Sequence, residues 1–384
     1  MMRQQGPAAV PFQRETGQDP HRSLHSETGG LPGQHSGRSR NPLVKVAGLA
    51  WLEFEKPDLD RAERFGTDFG FTVADRTPET LLLRGRWAST ACLVVRRGPR
   101  PRFAGVAFRA AARGDLDRLA RGTGGTVMAH WGGHTVVLRD PSGFPVHVVH
   151  GVPELPALPE RAPLPLNFGS EPVRANVTQR PPRRAAEIQR LGHVVLGTTR
   201  FGAALDWYLD TLGLIVSDFL YLDGQRDRGP AMAFIRCDLG SVPADHHTLP
   251  MILQPRTEYV HSAYQLTDLD EVAASGQYLR ERGYRHAWGL GRHIQGSQIF
   301  DYWRDPDRAM FEHYTDGDVF DAATEPGWAP LSASGLAQWG PKATAEFTGT
   351  NDPRVAVAAI KALTDKGNEI DLRALRGLVK AMSS

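Results

Sequence analysis

Apolar and polar positions alternate along residues 43–321 in a pattern that occurs four times. Each repeat opens with a short apolar run typical of a strand, continues with helical apolar spacing, and ends in further short apolar runs. The helices predicted in this way are Leu59–Phe69, Leu116–Gly122, Phe201–Leu212 and Leu269–Arg282. The pattern therefore predicts an α+β fold made of four strand–helix–strand–strand–strand modules.

Two halves of this region share signals that indicate an internal duplication. A glycine follows the first helix of each half, at Gly70 and at Gly213, where a helix must stop and turn. An Arg-Asp-Pro turn precedes the last strand of each half, at 139–141 and at 304–306. We therefore expect two domains, over residues 43–150 and 186–321.

The segments outside these domains differ from them in composition. Residues 1–42 contain few aliphatic side chains and no periodicity, which predicts a disordered tail. Residues 151–185 are dense in proline and are expected to form an extended linker. Residues 322–384 form a C-terminal extension whose two stretches of helical apolar spacing, 354–364 and 372–382, are expected to pack on the body or on a second subunit.

Composition and charge exclude several classes of protein. The chain has 384 residues, a formal net charge of +2 and no basic block interleaved with aromatics, so no nucleic-acid partner is expected. No apolar run reaches about 18 residues, so no spanning helix is expected, and the N-terminus lacks a secretory signal. With only Cys92 and Cys237, we expect a cytoplasmic protein with reduced thiols, while a disulfide between the two stays open.

Three polar residues stand on predicted strands of the second half among apolar neighbours: His193, His261 and Glu312. A polar side chain on a buried strand face is costly unless it is paired or binds a metal. Two imidazoles and one carboxylate are a recurring ligand set for non-haem Fe(II), with open positions left for substrate and O2. One such histidine would more often be a satisfied core residue, but three at matched positions in successive modules favour a metal site.

The first half offers an internal comparison for this site. An approximate superposition of the halves aligns Leu49 with His193, Gly105 with His261, and His147 with Glu312. One candidate ligand cannot hold a metal well. We therefore expect the first half to be a metal-free copy that packs against the second and shapes its pocket.

Residues 43–320, most clearly after Arg190, resemble the type I extradiol ring-cleavage dioxygenases of the vicinal oxygen chelate superfamily. The motifs that carry the resemblance, in a specific order and spacing, are Gly192-His193, Asp245-His246-His247-Thr248, His261 in its strand, Gly291-Arg292-His293, and Tyr302 through Glu312 with the Arg304-Asp305-Pro306 turn. The resemblance implies two domains, each of two βαβββ modules that form an open mixed barrel, followed by the C-terminal helical extension.

The resemblance also implies a function: extradiol cleavage of a small catechol-type diol by O2 in aromatic-compound degradation. It implies Fe(II), which Mn(II) could replace in such a site, and a homo-oligomer. Position by position, it makes His193, His261 and Glu312 the metal ligands. It makes His247 the acid/base histidine, with His246 as the weaker candidate, His293 a contact of the bound catecholate or oxygen, and Tyr302 the hydrogen-bond partner of the substrate hydroxyl. The glycines around His293, Gly291 and Gly296, indicate a mobile loop over the site. His313 is expected on the opposite face of its strand, as a structural or surface residue.

Two other functions stay open at this point. A 4-hydroxyphenylpyruvate-type dioxygenase shares the layout, the helical extension and the metal triad, but it needs no histidine pair at 246–247 and has a Gly-rich approach to its glutamate that this chain lacks. A metal-free binding or resistance protein built from the same modules would not need the three ligands. The sequence does not select among catechols, biaryl diols, steroid diols and trihydroxybenzenes, and it suggests that the 223–229 loop and the C-terminal extension cover the pocket.

Overall fold

The computed structural model describes residues 19–24, 26–332, 334–350 and 352–383, with strands and helices in the predicted alternation. The strands up to the proline-rich segment are β1 (Glu27–Thr28), β2 (Val46–Lys56), β3 (Thr72–Arg76), β4 (Thr80–Arg84), β5 (Leu93–Arg97), β6 (Arg102–Ala110), β7 (Val127–His130), β8 (Gly133–Arg139) and β9 (Pro145–His150). The strands after it are β10 (Arg190–Thr198), β11 (Leu214–Leu222), β12 (Met232–Cys237), β13 (Ala244–Asp245), β14 (Met251–Leu253), β15 (Glu258–Gln265), β16 (Arg285–His293), β17 (Ile299–Arg304), β18 (Met310–Thr315), β19 (Val319–Phe320), β20 (Gly327–Leu331) and β21 (Ala337–Trp339). The helices are α1 (Leu59–Phe69), α2 (Arg113–Thr123), α3 (Phe201–Leu212), α4 (Leu269–Glu281), α5 (Ala345–Thr348), α6 (Pro353–Thr364) and α7 (Leu372–Ser383).

The four predicted modules are present, and the two halves pair their strands in the same way. The first sheet has the order β3-β4-β5-β2-β6-β9-β8-β7, and the second repeats it as β11-β12-β14-β10-β15-β18-β17-β16. In each sheet the first strands of the two modules lie antiparallel at the centre, and each pairs in parallel with the last strand of its own module. The second sheet adds β20 and β1 at one edge and β21 at the other. The α+β prediction with duplicated modules is therefore confirmed.

The local signals behind this prediction act as expected. Gly70 and Gly213 end α1 and α3 in the left-handed region, with φ of 119° and 64°, where a side chain would be strained. Asp140 and Asp305 of the two Arg-Asp-Pro turns each accept a 2.8 Å hydrogen bond from the backbone N–H four residues later. Each turn therefore directs the chain into the last strand of its half.

His313 joins the two halves through buried contacts. Its Nε2 lies 2.7 Å from the carbonyl oxygen of Phe69, and its ring stacks on the Phe69 ring with centroids 3.8 Å apart. Burial lowers the pKa of His313 to about 4, so the neutral ring donates from Nε2 to that carbonyl. His313 is thus structural, on the face opposite Glu312 as alternation predicted, and it is fully buried instead of lying at the surface.

Residues 19–24 and 26–42 correct the expectation of a disordered tail for the part of residues 1–42 that the structure describes. Residues 20–24 form a single 3-10 turn, β1 pairs with β20, and Arg38 bridges to Ile215 of β11. His21 is completely buried against the second sheet. The segment contains few aliphatic residues, so its order depends on hydrogen bonds to a strand edge, which composition does not reveal. Residues 1–18 and 25 lie outside the described part of the chain.

The remaining segments connect and cover the two sheets. Between β9 and β10 the described residues form no helix or strand, in keeping with the proline content. α6 and α7 form where helical spacing predicted them, and both cysteines are free and buried. None of the helices in the described ranges has the length and apolar character that crossing a bilayer requires.

Candidate functional site

Three neighbouring strands at the centre of the second sheet carry the predicted metal ligands. Ala263 of β15 lies opposite His193 of β10 on one side and opposite Glu312 of β18 on the other. His261 precedes Ala263 by two residues and so points to the same face of the sheet. The register therefore brings three residues together on one face, although they are far apart in the sequence.

The three side chains converge on one point. The Nε2 atoms of His193 and His261 lie 3.3 Å apart, and they lie 3.3 and 3.2 Å from the same carboxylate oxygen, Oε2 of Glu312. Two ligand atoms about 2.1 Å from one cation and at right angles to each other are separated by about 3 Å. The triangle formed by these atoms therefore has the size of one face of a metal coordination sphere.

The hydrogen bonding of the cluster also fits a cation. Glu312 is fully buried, yet neither of its carboxylate oxygens has a hydrogen bond of good geometry. Burial alone would raise the pKa of Glu312, but the imidazoles of His193 and His261 outweigh burial and hold the pKa well below its usual range. A buried carboxylate that stays ionised without hydrogen-bond donors needs a positive partner, which a divalent ion supplies.

His247 lies against this cluster, in the segment between β13 and β14. Its ring centroid is 4.2 Å from that of His193 and its Nδ1 lies 2.9 Å from Nδ1 of His246. Burial, followed by the neighbouring imidazoles, lowers the pKa of His247 well below its usual value. A neutral imidazole beside the ligands is suited to accept a proton. His246 points away from the cluster, with its Nε2 2.7 Å from Asp218.

Tyr302 and His293 form a second polar pair beside the cluster. Nδ1 of His293 lies 2.8 Å from the carbonyl oxygen of Leu336, so Nδ1 carries the proton, and Nε2 accepts a 2.8 Å hydrogen bond from the Tyr302 hydroxyl. The Tyr302 ring lies 5.0 Å from that of His261. His293 is the last residue of β16 and pairs with β21, which corrects the expectation of a mobile loop there.

The C-terminal extension reaches this pair of residues. The ring of Phe347 in α5 lies 5.0 Å from that of Tyr302, and Leu336 supplies the carbonyl that fixes His293. The 223–229 loop, which the sequence placed over the pocket, contacts other parts of the chain. Its two arginines form ion pairs with Glu27 of β1 and with Asp371 before α7.

The first half differs from its expected alignment at one position. Ala107 lies opposite both Trp51 and His147, just as Ala263 lies opposite His193 and Glu312. Trp51, and not Leu49, therefore corresponds to His193. Both strands have a bulge directly before this position, between Leu49 and Trp51 in β2 and between Leu191 and His193 in β10, so the equivalence follows only when the two bulges are aligned. A completely buried indole thus occupies the place of one ligand, and the metal cluster found among the described residues is the one in the second half.

Two buried residues next to the site were not predicted: Asp218 and His21. Asp218 lies in β11, a strand missed in the sequence, and it is as fully buried as the ligands. Ser217 and Asp218 form a polar pair inside the apolar run Leu214–Leu222, and this interruption is the signal that could have identified it. His21 carries no such local signal, because its neighbours are polar.

Comparisons with known proteins identify a matching family model and relatives that align over most of the chain. Residues 190–313 match the Glyoxalase/Bleomycin resistance protein/Dioxygenase superfamily. The chain is 32% identical over 331 residues to metapyrocatechase 2 of Cupriavidus necator, covering 84% of this chain and 96% of that protein. It is 23% identical over 317 residues to an iron-dependent extradiol dioxygenase of Rhodococcus jostii, covering 77% and 97%.

A solved structure supports the fold. An extradiol ring-cleaving dioxygenase from B. fuscum superposes with a TM-score of 0.64 at 18% identity, over 82% of this chain and 84% of that one. At 18% identity, this similarity shows only that the two proteins share the arrangement of their modules. The family follows from the sequence relatives, of which metapyrocatechase 2 is 32% identical and is matched along nearly its whole length.

Proposed function

The chain belongs to the extradiol dioxygenases of the glyoxalase/bleomycin resistance protein/dioxygenase superfamily, and we propose that it binds Fe(II) at His193, His261 and Glu312 to cleave the ring of a small catechol-type diol with O2. The observation that carries the proposal is the convergence of two imidazole nitrogens and one carboxylate oxygen, 3.2–3.3 Å apart, at a buried point. The names of the relatives favour this function over a 4-hydroxyphenylpyruvate-type enzyme or a metal-free binding protein.

The proposed ligands suit Fe(II) and leave room for the reactants. When bound, Fe(II) supplies a common centre for the diol and O2, which do not react directly because O2 is a triplet. Two neutral imidazoles and one carboxylate compensate one of the two charges of the ion. The remaining positive charge favours a diol that arrives as an anion. Mn(II) prefers a similar set of nitrogen and oxygen ligands and is the alternative ion.

His247 is the proposed acid/base residue. Its Nδ1 lies against Nδ1 of His246, so Nε2 is the nitrogen left to take a proton from the diol. Held beside His193, it can accept that proton as the diol binds and return it to oxygen during ring opening. The site is buried, which keeps bulk water from competing for the proton.

Tyr302 and His293 are proposed to orient the diol. The Tyr302 hydroxyl and the His293 ring lie on the same side of the cluster, and the tautomer of His293 is fixed by the Leu336 carbonyl. A hydroxyl held in this way can turn toward a bound oxygen with little loss of rotational freedom. Tyr302 is therefore placed to donate to the substrate oxygen that becomes negative, and His293 holds the Tyr302 hydroxyl in position.

The proposed function is tested with metal-free protein reloaded with single ions. O2 uptake is followed with a panel of catechol, alkylcatechols, a biaryl diol and a trihydroxybenzene. We expect one O2 per ring opened, a yellow product with at least one diol, and recovery of activity with Fe(II). Protein that stays inactive with every diol after loading with Fe(II) or Mn(II) would contradict the proposal, and recovery with Mn(II) alone would correct the ion.

Tyr302→Phe is expected to lower kcat/KM by about 10- to 100-fold without loss of metal. The variant removes one hydrogen bond to a charged oxygen, worth about 1.5–3 kcal/mol, and each 1.4 kcal/mol is about tenfold in rate. Tyr264→Phe is the matched control, because that hydroxyl is also buried but bonds to Ser262 Oγ. Equal kcat/KM in Tyr302→Phe and wild type, at equal metal content, would remove Tyr302 from the site.

A further inference from the structure

We propose that His246, Asp218 and His21 are positioning residues for His247, so that the N-terminal segment forms part of the active site. The inference rests on the proposed role of His247 as acid/base. These four residues are called the histidine–aspartate chain below. They come from three distant parts of the sequence, and each is at most 3% exposed.

The contacts of the chain are continuous from the metal cluster outward. Nδ1 of His247 lies 2.9 Å from Nδ1 of His246, and Nε2 of His246 lies 2.7 Å from Oδ2 of Asp218. The other oxygen of Asp218, Oδ1, makes an ion-pair contact of 3.2 Å with Nδ1 of His21. Nε2 of His21 lies 2.6 Å from the carbonyl oxygen of Glu325. One line of contacts therefore runs from His247 to the edge of the sheet.

Asp218, at the middle of this line, determines which ring nitrogen carries the proton in His246 and in His247. An ionised Asp218 only accepts, so Nε2 of His246 must donate to it. In a neutral His246 the proton is then absent from Nδ1, which accepts from Nδ1–H of His247. This leaves Nε2 of His247 without a proton. The histidine–aspartate chain thus selects the tautomer of His247 that can accept a proton at Nε2.

His21 keeps Asp218 ionised. Its Nε2 lies within hydrogen-bond distance of a carbonyl oxygen, and its Nδ1 faces a carboxylate oxygen without the geometry of a hydrogen bond, so the contact with Asp218 is one of charge and favours a ring that carries both protons. Burial lowers the pKa of His21, but Asp218 outweighs burial and the pKa is raised. Burial raises the pKa of Asp218, but His21 and His246 outweigh it and the pKa is lowered. Asp218 therefore holds a negative charge that a cationic His21 compensates.

Two glycines leave the space that the histidine–aspartate chain occupies. A Cβ on Gly327 of β20 would lie 2.1 Å from Oδ1 of Asp218 and 2.4 Å from Nδ1 of His21. Gly296 has a φ of +81°, and a Cβ there would lie 3.1 Å from His247 and 3.2 Å from His246. The backbone therefore approaches both ends of the chain more closely than another residue would permit.

The role of the histidine–aspartate chain is tested in the full-length, iron-loaded protein with two substitutions. In Asp218→Asn either end of the amide can face His246, so the tautomer is no longer imposed. In His21→Leu the compensating cation is lost. Each is expected to lower kcat by about 10- to 100-fold, with KM for the diol and iron content unchanged. His21→Gln, whose amide can donate a hydrogen bond but does not replace the cation, is expected to recover only part of the kcat.

Arg38→Met is the matched control for loosening of the N-terminal segment. Arg38 donates a 2.6 Å hydrogen bond to the carbonyl of Ala322 and takes no part in the chain. It is expected to keep kcat. A second readout does not use activity: in metal-free protein labelled with 15N-histidine, His247 should carry its proton on Nδ1 in wild type and in Arg38→Met, and should become a mixture in Asp218→Asn. His247→Gln identifies its signals.

The outcomes separate this inference from the proposed function. A wild-type enzyme that cleaves no diol overturns the proposed function and the inference with it. An active wild type with unchanged kcat in Asp218→Asn and His21→Leu overturns the inference alone, as does a wild-type His247 protonated on Nε2. An equal loss in Arg38→Met, or a loss that follows iron content, would assign the effect to structure. Asp218→Asn changes few atoms and decides the matter if His21→Leu does not fold.

Discussion

Glu312→Ala is expected to remove the metal and to lower kcat by about 10³-fold or more, because holding both reactants on one ion supplies most of the catalysis. The three proposed ligand atoms lie within 3.3 Å of one another, so each would contribute to the same coordination sphere. Loss of the carboxylate leaves two neutral imidazoles, which retain a divalent ion weakly. Iron content by metal analysis and O2 uptake with the preferred diol measure the two effects.

The internal duplication supplies the control for this variant. His147 occupies the position in β9 that Glu312 occupies in β18, opposite Ala107 in place of Ala263. His147→Ala should therefore make a similar change in an equivalent strand while iron content and kcat stay at their wild-type values. If Glu312→Ala keeps its iron and its rate, the metal site lies elsewhere. If His147→Ala loses both, the first half contributes to the site.

Sequence patterns were informative wherever a local rule fixes the outcome. Helix ends at Gly70 and Gly213 follow from the left-handed conformation that glycine tolerates. The proposed ligands also follow from a local signal, since His193, His261 and Glu312 are polar residues on apolar strands of successive modules. Their convergence depends on β15 lying between β10 and β18, which the duplicated module topology implies.

The failures of the sequence analysis have a common physical cause, which is contact between distant segments. The order of the N-terminal segment depends on β20 and on Asp218, neither of which is near it in the sequence. The equivalence of Trp51 and His193 depends on strand register, which a bulge shifts. His293 lies in a strand because β21 of the C-terminal extension pairs with it. Composition and periodicity describe only the chain near each residue, so they do not contain these contacts.

His247→Gln is expected to lower kcat by about 10²- to 10⁴-fold, the usual contribution of general acid–base catalysis, at unchanged iron content. The position of His247 suits it to transfer a proton and not to bind the metal. His247 lies 4.2 Å from His193 between ring centroids but does not belong to the cluster of metal ligands. An amide of similar size can fill the space and bond to His246, but it cannot accept and return a proton near neutral pH. Steady-state O2 uptake per bound iron measures the effect.

His313→Gln is the control that distinguishes chemistry from packing in this comparison. His313 is also a buried histidine, but it faces away from the cluster and bonds to the Phe69 carbonyl. Its loss leaves that carbonyl with a poorer donor and should cost about 1–3 kcal/mol of unfolding free energy, with kcat per iron retained. His247→Gln should show the opposite pattern. If both variants lose stability and keep their rate, His247 is a packing residue, and the proton must be moved by another group near the ligands.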